Sequence, residues 1–517
     1  MSIVIRAAAL TMFIACSSII LAGESSPYPA PRFPSYLPRV VTDETLLKAA
    51  RVIVNRSTSE RAHPGYAIKR GEKALMVVTP LEDPRLTEAL IKAIREAGAT
   101  VDVFAADVSD IIGSTYGDRD WGYLENPLFH YMRVNGRPLS RLLGGGQFIE
   151  QTLALAQLNK YTLLIANYDG YLAKPLVAAY RWEDMPGPTV DEFLFAAEFE
   201  QDLPKQLYDR IDELAWNQFR QARRVHVTDP EGTDLRWNLP ATLEQMPKPA
   251  QFWRAEHLCM PDYVKGGAAQ SASTYQEVDL RGVIGGTINH IGAFPRIQVF
   301  VAGGKIERIE GGGRFGDEWR KILKGYETAV WPYEPGPGFG WVQECGLGRQ
   351  PFGFRPRGAM GFPGGTMNER VRSGVLHWAF GVQSMKLQTT KTQQYILEHG
   401  APDGHLDVHN NFPTMILETA EGKEITFLNK GRLTILDLPE VRELAAKFGD
   451  PDVLLKDAWI PPVPGINVPG DYARDYGSDP ASWIAKENER YFTEGKHRAG
   501  TADSALTGSA QRKAKGL

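Results

Sequence analysis

The stretch GHLDVHNN, residues 404 to 411, places two imidazoles and a carboxylate at alternate positions: His405, Asp407 and His409. If it forms a strand, all three side chains leave one face. A borderline divalent ion takes this mixture of nitrogen and oxygen donors. On a solvated edge the same residues would hold nothing, and the spacing alone does not separate the two readings. Other metal-capable groups stand upstream: His377 in RVRSGVLHWAFG, Glu344 in WVQECGLGRQP and Glu256 in FWRAEHLCMP. Each of these residue types is also common as an ordinary polar surface group.

Other chemistries find less support. There is no GxSxG elbow and no P-loop, and His377 and Ser384 are not in a recognisable triad context. Cys345 follows Glu344 in what reads as a Gly-rich loop, with no obvious base for a thiol nucleophile. Gly311, Gly313 and Gly316 keep GxGxxG spacing. A dinucleotide site would need that turn inside a strand-helix-strand unit. A hairpin precedes it here, so the glycines are read as a turn and a helix start.

These residues need a scaffold. The 517-residue chain has a net charge of -4 and 23% charged residues, which fits a globular protein of two or more domains. The near-neutral balance argues against a nucleic-acid binder, which would carry a basic stripe. No apolar run in the body is long enough to span a membrane. The N-terminus differs: Arg6, an apolar stretch from Ala7 to Ala22, then Gly23 and polar residues. That is the layout of a signal peptide over 1–25, which predicts a secreted or periplasmic protein. Beyond it only Cys259 and Cys345 remain, so this is no disulfide scaffold.

After a Pro-rich leader over 26–44, DETLLKAARVIVN predicts a helix capped by Thr42 or Asp43, with a stripe of Leu46, Leu47, Ala50 and Val54. GEKALMVVT predicts a buried strand, DPRLTEALIKAIREAGA a helix between Pro84 and Gly98, and TVDVF a second strand. Strand, helix, strand with short links predicts a parallel sheet. KYTLLIANYDG reads as a further strand and 190–224 as helix broken at Pro204. From there the pattern becomes hairpins, turning at Pro230-Glu231-Gly232, Gly303-Gly304 and Lys430-Gly431. The predicted fold class is α/β plus α+β. A parallel-sheet α/β domain over 45–225 precedes a metal-site domain rich in antiparallel strands over 226–460. A Pro/Gly-rich extension with a disordered tail over 461–517 ends the chain.

The order of the motifs resembles the M29 family of metalloaminopeptidases, the aminopeptidase T type. That family carries Gly-Glu-Val-x-x-x-Pro, and AEHLCMP keeps Glu256 and Pro261. Its Glu-Leu-Gly-x-Gly-x-Asn-Pro is similar to ECGLGRQP, with Glu344, Gly346, Gly348 and Pro351. Its His-x-Ala-x-Gly matches His377, Ala379 and Gly381, and its His-x-Asp matches His405 and Asp407. The resemblance runs over roughly 45–440 and implies two divalent ions (Zn, Co or Mn) held by Glu256, Glu344, His377, His405 and Asp407. It also implies hydrolysis of a small peptide or amide, and a homodimer. The chain departs from the pattern at Ala255 and Gln350. The family places a tyrosine after the His-x-Ala-x-Gly segment; here Ser384 stands near that place. His409 is an added group, either a third ligand, a residue behind the ligands or a candidate catalytic one. The 2,5-dihydroxypyridine dioxygenases, similar to the same fold, imply an alternative: one Fe(II) on His377, His405 and Asp407 for oxygen chemistry. A secreted binding protein without catalysis is the third expectation.

Overall fold

The structure is a computed structural model. It describes residues 26–38, 40–56, 65–78, 83–105, 133–134, 137–138, 154–166, 181–184, 189–198, 204–245, 272–289, 292–331, 334–357, 367–381 and 406–492.

Among the described residues, the first half forms a four-stranded parallel sheet of β1 (Lys73–Val78), β2 (Thr100–Ala105), β3 (Leu163–Ala166) and β4 (Arg181–Asp184), in the order β2-β1-β3-β4. The links obey local chemistry. Helix α1 (Asp43–Asn55) starts where the Thr42 hydroxyl accepts from the Thr45 amide, satisfying one of the first-turn N–H groups. Leu46, Ala49, Ala50, Ile53 and Val54 form its buried stripe. Helix α2 (Pro84–Glu96) opens on Asp83, whose carboxylate accepts from the Arg85 amide. Gly98 ends it at φ +84°, where a side chain would be strained. Helices α3 (Val190–Glu198) and α4 (Lys205–Phe219) follow on either side of Pro204.

Among the described residues, the second half is built on an antiparallel sheet of eleven strands. In chain order these are β5 (Ala222–Asp229), β6 (Thr233–Asn238), β7 (Arg281–Ile288), β8 (Ala293–Ala302), β9 (Lys305–Gly311), β10 (Trp341–Leu347), β11 (Leu376–Gly381), β12 (Leu406–Asn410), β13 (Thr414–Thr419), β14 (Glu424–Asn429) and β15 (Arg432–Leu433). In space they run β12-β11-β10-β9-β8-β7-β6-β5-β13-β14-β15. All three anticipated hairpins are present. Gly313 opens helix α5 (Gly313–Gly325) directly after β9, so the GxGxxG glycines lie between a hairpin and a helix, outside any parallel unit.

The sheet curls until β12 lies against β7. Glycines permit this: a Cβ on Gly286 would sit 2.5 Å from Val408 Cγ1 and 3.0 Å from the His409 carbonyl oxygen. One continuous set of buried apolar side chains runs from Ile53, Leu90 and Ile165 to Trp237, Trp378 and Phe427. Ion pairs among the described residues tie the halves together: Arg349 with Asp212, Arg357 with Asp191 and Arg210 with Glu440.

Three sequence expectations shift. The strand β5 begins at Ala222 and Val225 already pairs with Leu417, so the antiparallel part starts ahead of residue 226. Cys345 is buried within strand β10; flanking glycines disguised a strand as a loop. The extension past 461 contains helix α6 (Pro480–Phe492), because Ile484, Glu487, Asn488 and Phe492 share a buried face. The leader is held as well. Arg32 and Ile460 exchange both backbone bonds, and Phe33 stacks on Tyr491 at 4.1 Å. Residues 1–25 and 493–517 lie outside the described residues, and with them the expected signal peptide and disordered tail. Among the described residues, no helix is long and apolar enough to cross a membrane.

Candidate metal centre

Three adjacent strands bring the candidate residues together. Glu344 lies on β10, His377 on β11, and Asp407 and His409 on β12. The register pairs Glu344 with Ala379 and Ala379 with Asp407 in one row; Gly346 pairs with His377 and His377 with His409 in the next. Paired residues of an antiparallel sheet share a face, as do residues two apart. All these side chains therefore leave the same face. The alternation read in GHLDVHNN is real for Asp407 and His409. The strand is no solvated edge, since every residue of β12 is buried.

The rows explain the small residues. Ala379 separates the two carboxylates with a methyl group, leaving both free to lean over to His377. Gly346 faces the imidazole directly. A Cβ there would meet His377 Cβ at 3.3 Å and Cδ2 at 3.4 Å, tighter than ordinary contact.

His377 is the hub. Its Nε2 lies 2.9 Å from Glu344 Oε2 and 3.6 Å from Asp407 Oδ1. Its Nδ1 lies 2.9 Å from His409 Nε2, and the two rings meet edge to face at 5.0 Å. His409 is fully buried. Burial first, and then the charges of His377, Arg370 and Arg355, hold its imidazole well below its ordinary pKa of 6.5, so it stays neutral. Held 2.9 Å from a carboxylate oxygen, which only accepts, His377 Nε2 donates to Glu344. A metal ion on Nε2 would take the place of that proton, and the neutral His409 would then accept at Nε2 from His377 Nδ1–H, the tautomer a ligand needs. His409 thus stands behind His377 rather than beside the carboxylates.

The donors stand closer together than the ligands of a metal ion. Among the described residues, no group of three or more His, Cys, Asp or Glu side chains is assembled to hold one. The contacts explain why. At 2.9 Å the His377–Glu344 contact is a hydrogen bond, whereas two ligands about 2.1 Å from a tetrahedral ion stand roughly 3.4 Å apart. The pair must open by about half an ångström for that geometry. The chemistry of the donors, one imidazole and two carboxylates, suits a divalent ion. Glu256 and His405, the other two expected ligands, lie outside the described residues, as do Cys259 and Ser384.

A second buried acidic group was not anticipated. At the β5–β6 turn, Asp229 accepts from the Glu231 and Phe412 amides at 2.9 and 3.0 Å. Glu231 Oε1 accepts from the Thr287 hydroxyl at 2.7 Å and the Tyr472 hydroxyl at 2.8 Å. Burial, then the Glu231 charge, pushes the Asp229 carboxyl up to about 8. Burial also raises Glu231. The sequence VTDPEGTD marked a hairpin turn and gave no hint that residues 240 positions later would cover it.

No family model matches the chain, and no curated protein matches it. A structure of 2,5-dihydroxypyridine dioxygenase from Pseudomonas putida KT2440 is similar to it at 15% identity and a TM-score of 0.37, over 76% of this chain and 98% of that one. A likeness that loose transfers no chemistry.

Proposed function

We propose that this protein is a divalent-metal-dependent enzyme that hydrolyses a small peptide or amide. The observation that supports it is His377, with Nε2 turned to two carboxylates and Nδ1 backed by a buried neutral imidazole. In this reading Glu344, His377 and Asp407 are ligands, and Glu256 and His405 complete the set. Bound ions would lower the pKa of a water and polarise the scissile carbonyl. The chain's own groups do the rest. His409 fixes the His377 tautomer. Glu344 and Asp407 supply the negative charge that offsets the repulsion of two close cations. Two carboxylates around one imidazole favour this reading over a single iron, for which His377, His405 and Asp407 would suffice. Export behind the N-terminal leader and a homodimeric state are proposed with it.

Metal analysis of wild type and Glu344→Gln tests the proposal. The amide keeps the size of the side chain and removes its charge. Metal content should fall from about two ions per chain, the count of a two-metal site, towards one. Peptidase activity should fall with it and be indifferent to dissolved oxygen. A wild-type protein holding one iron and consuming O₂ on an aromatic substrate would overturn the hydrolase.

A further inference from the structure

We propose that Asn410 is a positioning residue of this centre, acting from the opposite face of the sheet. The inference rests on the metal reading above. Asn410 follows His409, so its side chain leaves the other face of β12, among the buried Leu406 and Val408 side chains. There its amide makes three bonds. Nδ2 donates to Thr233 Oγ1 at 2.8 Å and to the Gly285 carbonyl at 2.9 Å. Oδ1 accepts from Trp378 Nε1 at 2.8 Å. The amide's orientation follows from its partners, since an indole N–H can only donate and a carbonyl can only accept.

These bonds join four strands. Thr233 lies on β6, Gly285 on β7, Trp378 on β11 and Asn410 on β12. Thr233 Oγ1 is locked to Gly285 in turn, donating to its carbonyl at 3.1 Å and accepting from its amide at 3.0 Å. Trp378 sits between His377 and Ala379, and its ring meets Trp237 edge-on at 5.8 Å. The clasp therefore fixes both strands whose far faces carry His377, Asp407 and His409. The neighbouring Gly286 permits the approach but supplies no grip, because a glycine has no side chain with which to hold β12. Without the clasp β12, the last strand on its side of the sheet, is held by its ladder to β11 and its apolar packing against β7. A shift of a few tenths of an ångström there moves Asp407 and His409 relative to Glu344. Side chains that orient metal ligands from behind are worth about 10–100-fold in metal affinity.

The test is Zn(II) affinity, measured by competition with a chromophoric chelator, together with the visible spectrum of the Co(II) form. Wild type is compared with Asn410→Ala, Asn410→Asp and a remote core control, Ile165→Ala. The aspartate keeps the bond from Trp378 but sets an oxygen against the Gly285 carbonyl. Both Asn410 variants should bind Zn(II) about 10–100-fold more weakly, with a shifted Co(II) band. Ile165→Ala should lose thermal stability yet keep wild-type affinity and spectrum. If the Asn410 variants lose stability but bind and absorb as wild type does, Asn410 only holds the fold and the proposal fails while the centre stands. Should they not fold, Trp378→Phe removes one of the three bonds and should move affinity and band in the same direction; no change there refutes the proposal. A wild type that binds neither ion sinks the metal reading itself, and its positioning residue with it.

Discussion

Replacing His409 separates a ligand support from an ordinary buried residue. His409→Phe keeps a flat ring of similar size and removes both nitrogens. His377, whose side chain is 3% exposed, loses the partner 2.9 Å from its Nδ1. A buried polar group deprived of its partner costs about 1–3 kcal/mol. Read as metal affinity, that range is roughly 5–150-fold, because 1.4 kcal/mol is about a factor of ten. It brackets the loss expected when the group behind a histidine ligand is removed. The assay pairs urea unfolding in chelator, which gives the stability cost, with Zn(II) titration, which gives the affinity. His409→Gln is the companion, because its terminal amide can reach the position of the imidazole Nε2. It should recover most of the affinity that the phenylalanine loses. A phenylalanine variant that unfolds earlier but binds Zn(II) like wild type would refute the reasoning, leaving His409 as core and no more.

Gly346→Ala adds a methyl 3.3 Å from His377 Cβ, so the ring must move. Its stability should change by about 1–3 kcal/mol at most, as for other overpacked sites, while Zn(II) affinity drops measurably in the same titration. The Asp229 pair predicts a pH effect with a definite sign. Its folded pKa is about 8 against an ordinary 3.8, so the folded chain keeps a proton that the unfolded chain has released. That stability is fully present below about pH 4 and is lost as pH rises through 8. His409 works the other way, being held below 6.5; its contribution is full above pH 6.5 and shrinks on acidification. Between pH 6.5 and 8 only the Asp229 effect remains of the two. The melting temperature should fall across that window in wild type and stay flatter in Asp229→Asn. Equal slopes would remove Asp229 as the cause.

The sequence by itself determined the elements. The caps at Thr42 and Asp83, the glycine at 98 and the change from a 3.6-residue to a two-residue apolar period are local signals. The helices, the parallel strands and three hairpins appear where those signals stand. Alternation also told which face of β12 Asp407 and His409 share. What the sequence could not determine is everything that depends on which strands become neighbours. Glu344, His377 and His409 are separated by more than thirty residues at each step, and only the register of β10, β11 and β12 makes them touch. The same register set His409 behind His377, because it paired with His377 and not with a carboxylate. Asn410 reads as one more polar residue in GHLDVHNN; the curl of the sheet gives it Thr233 and Gly285 as partners. Local propensity is written in each segment of a few residues. Pairing and closure belong to the whole sheet, where loop entropy, burial and close glycine contacts are settled together.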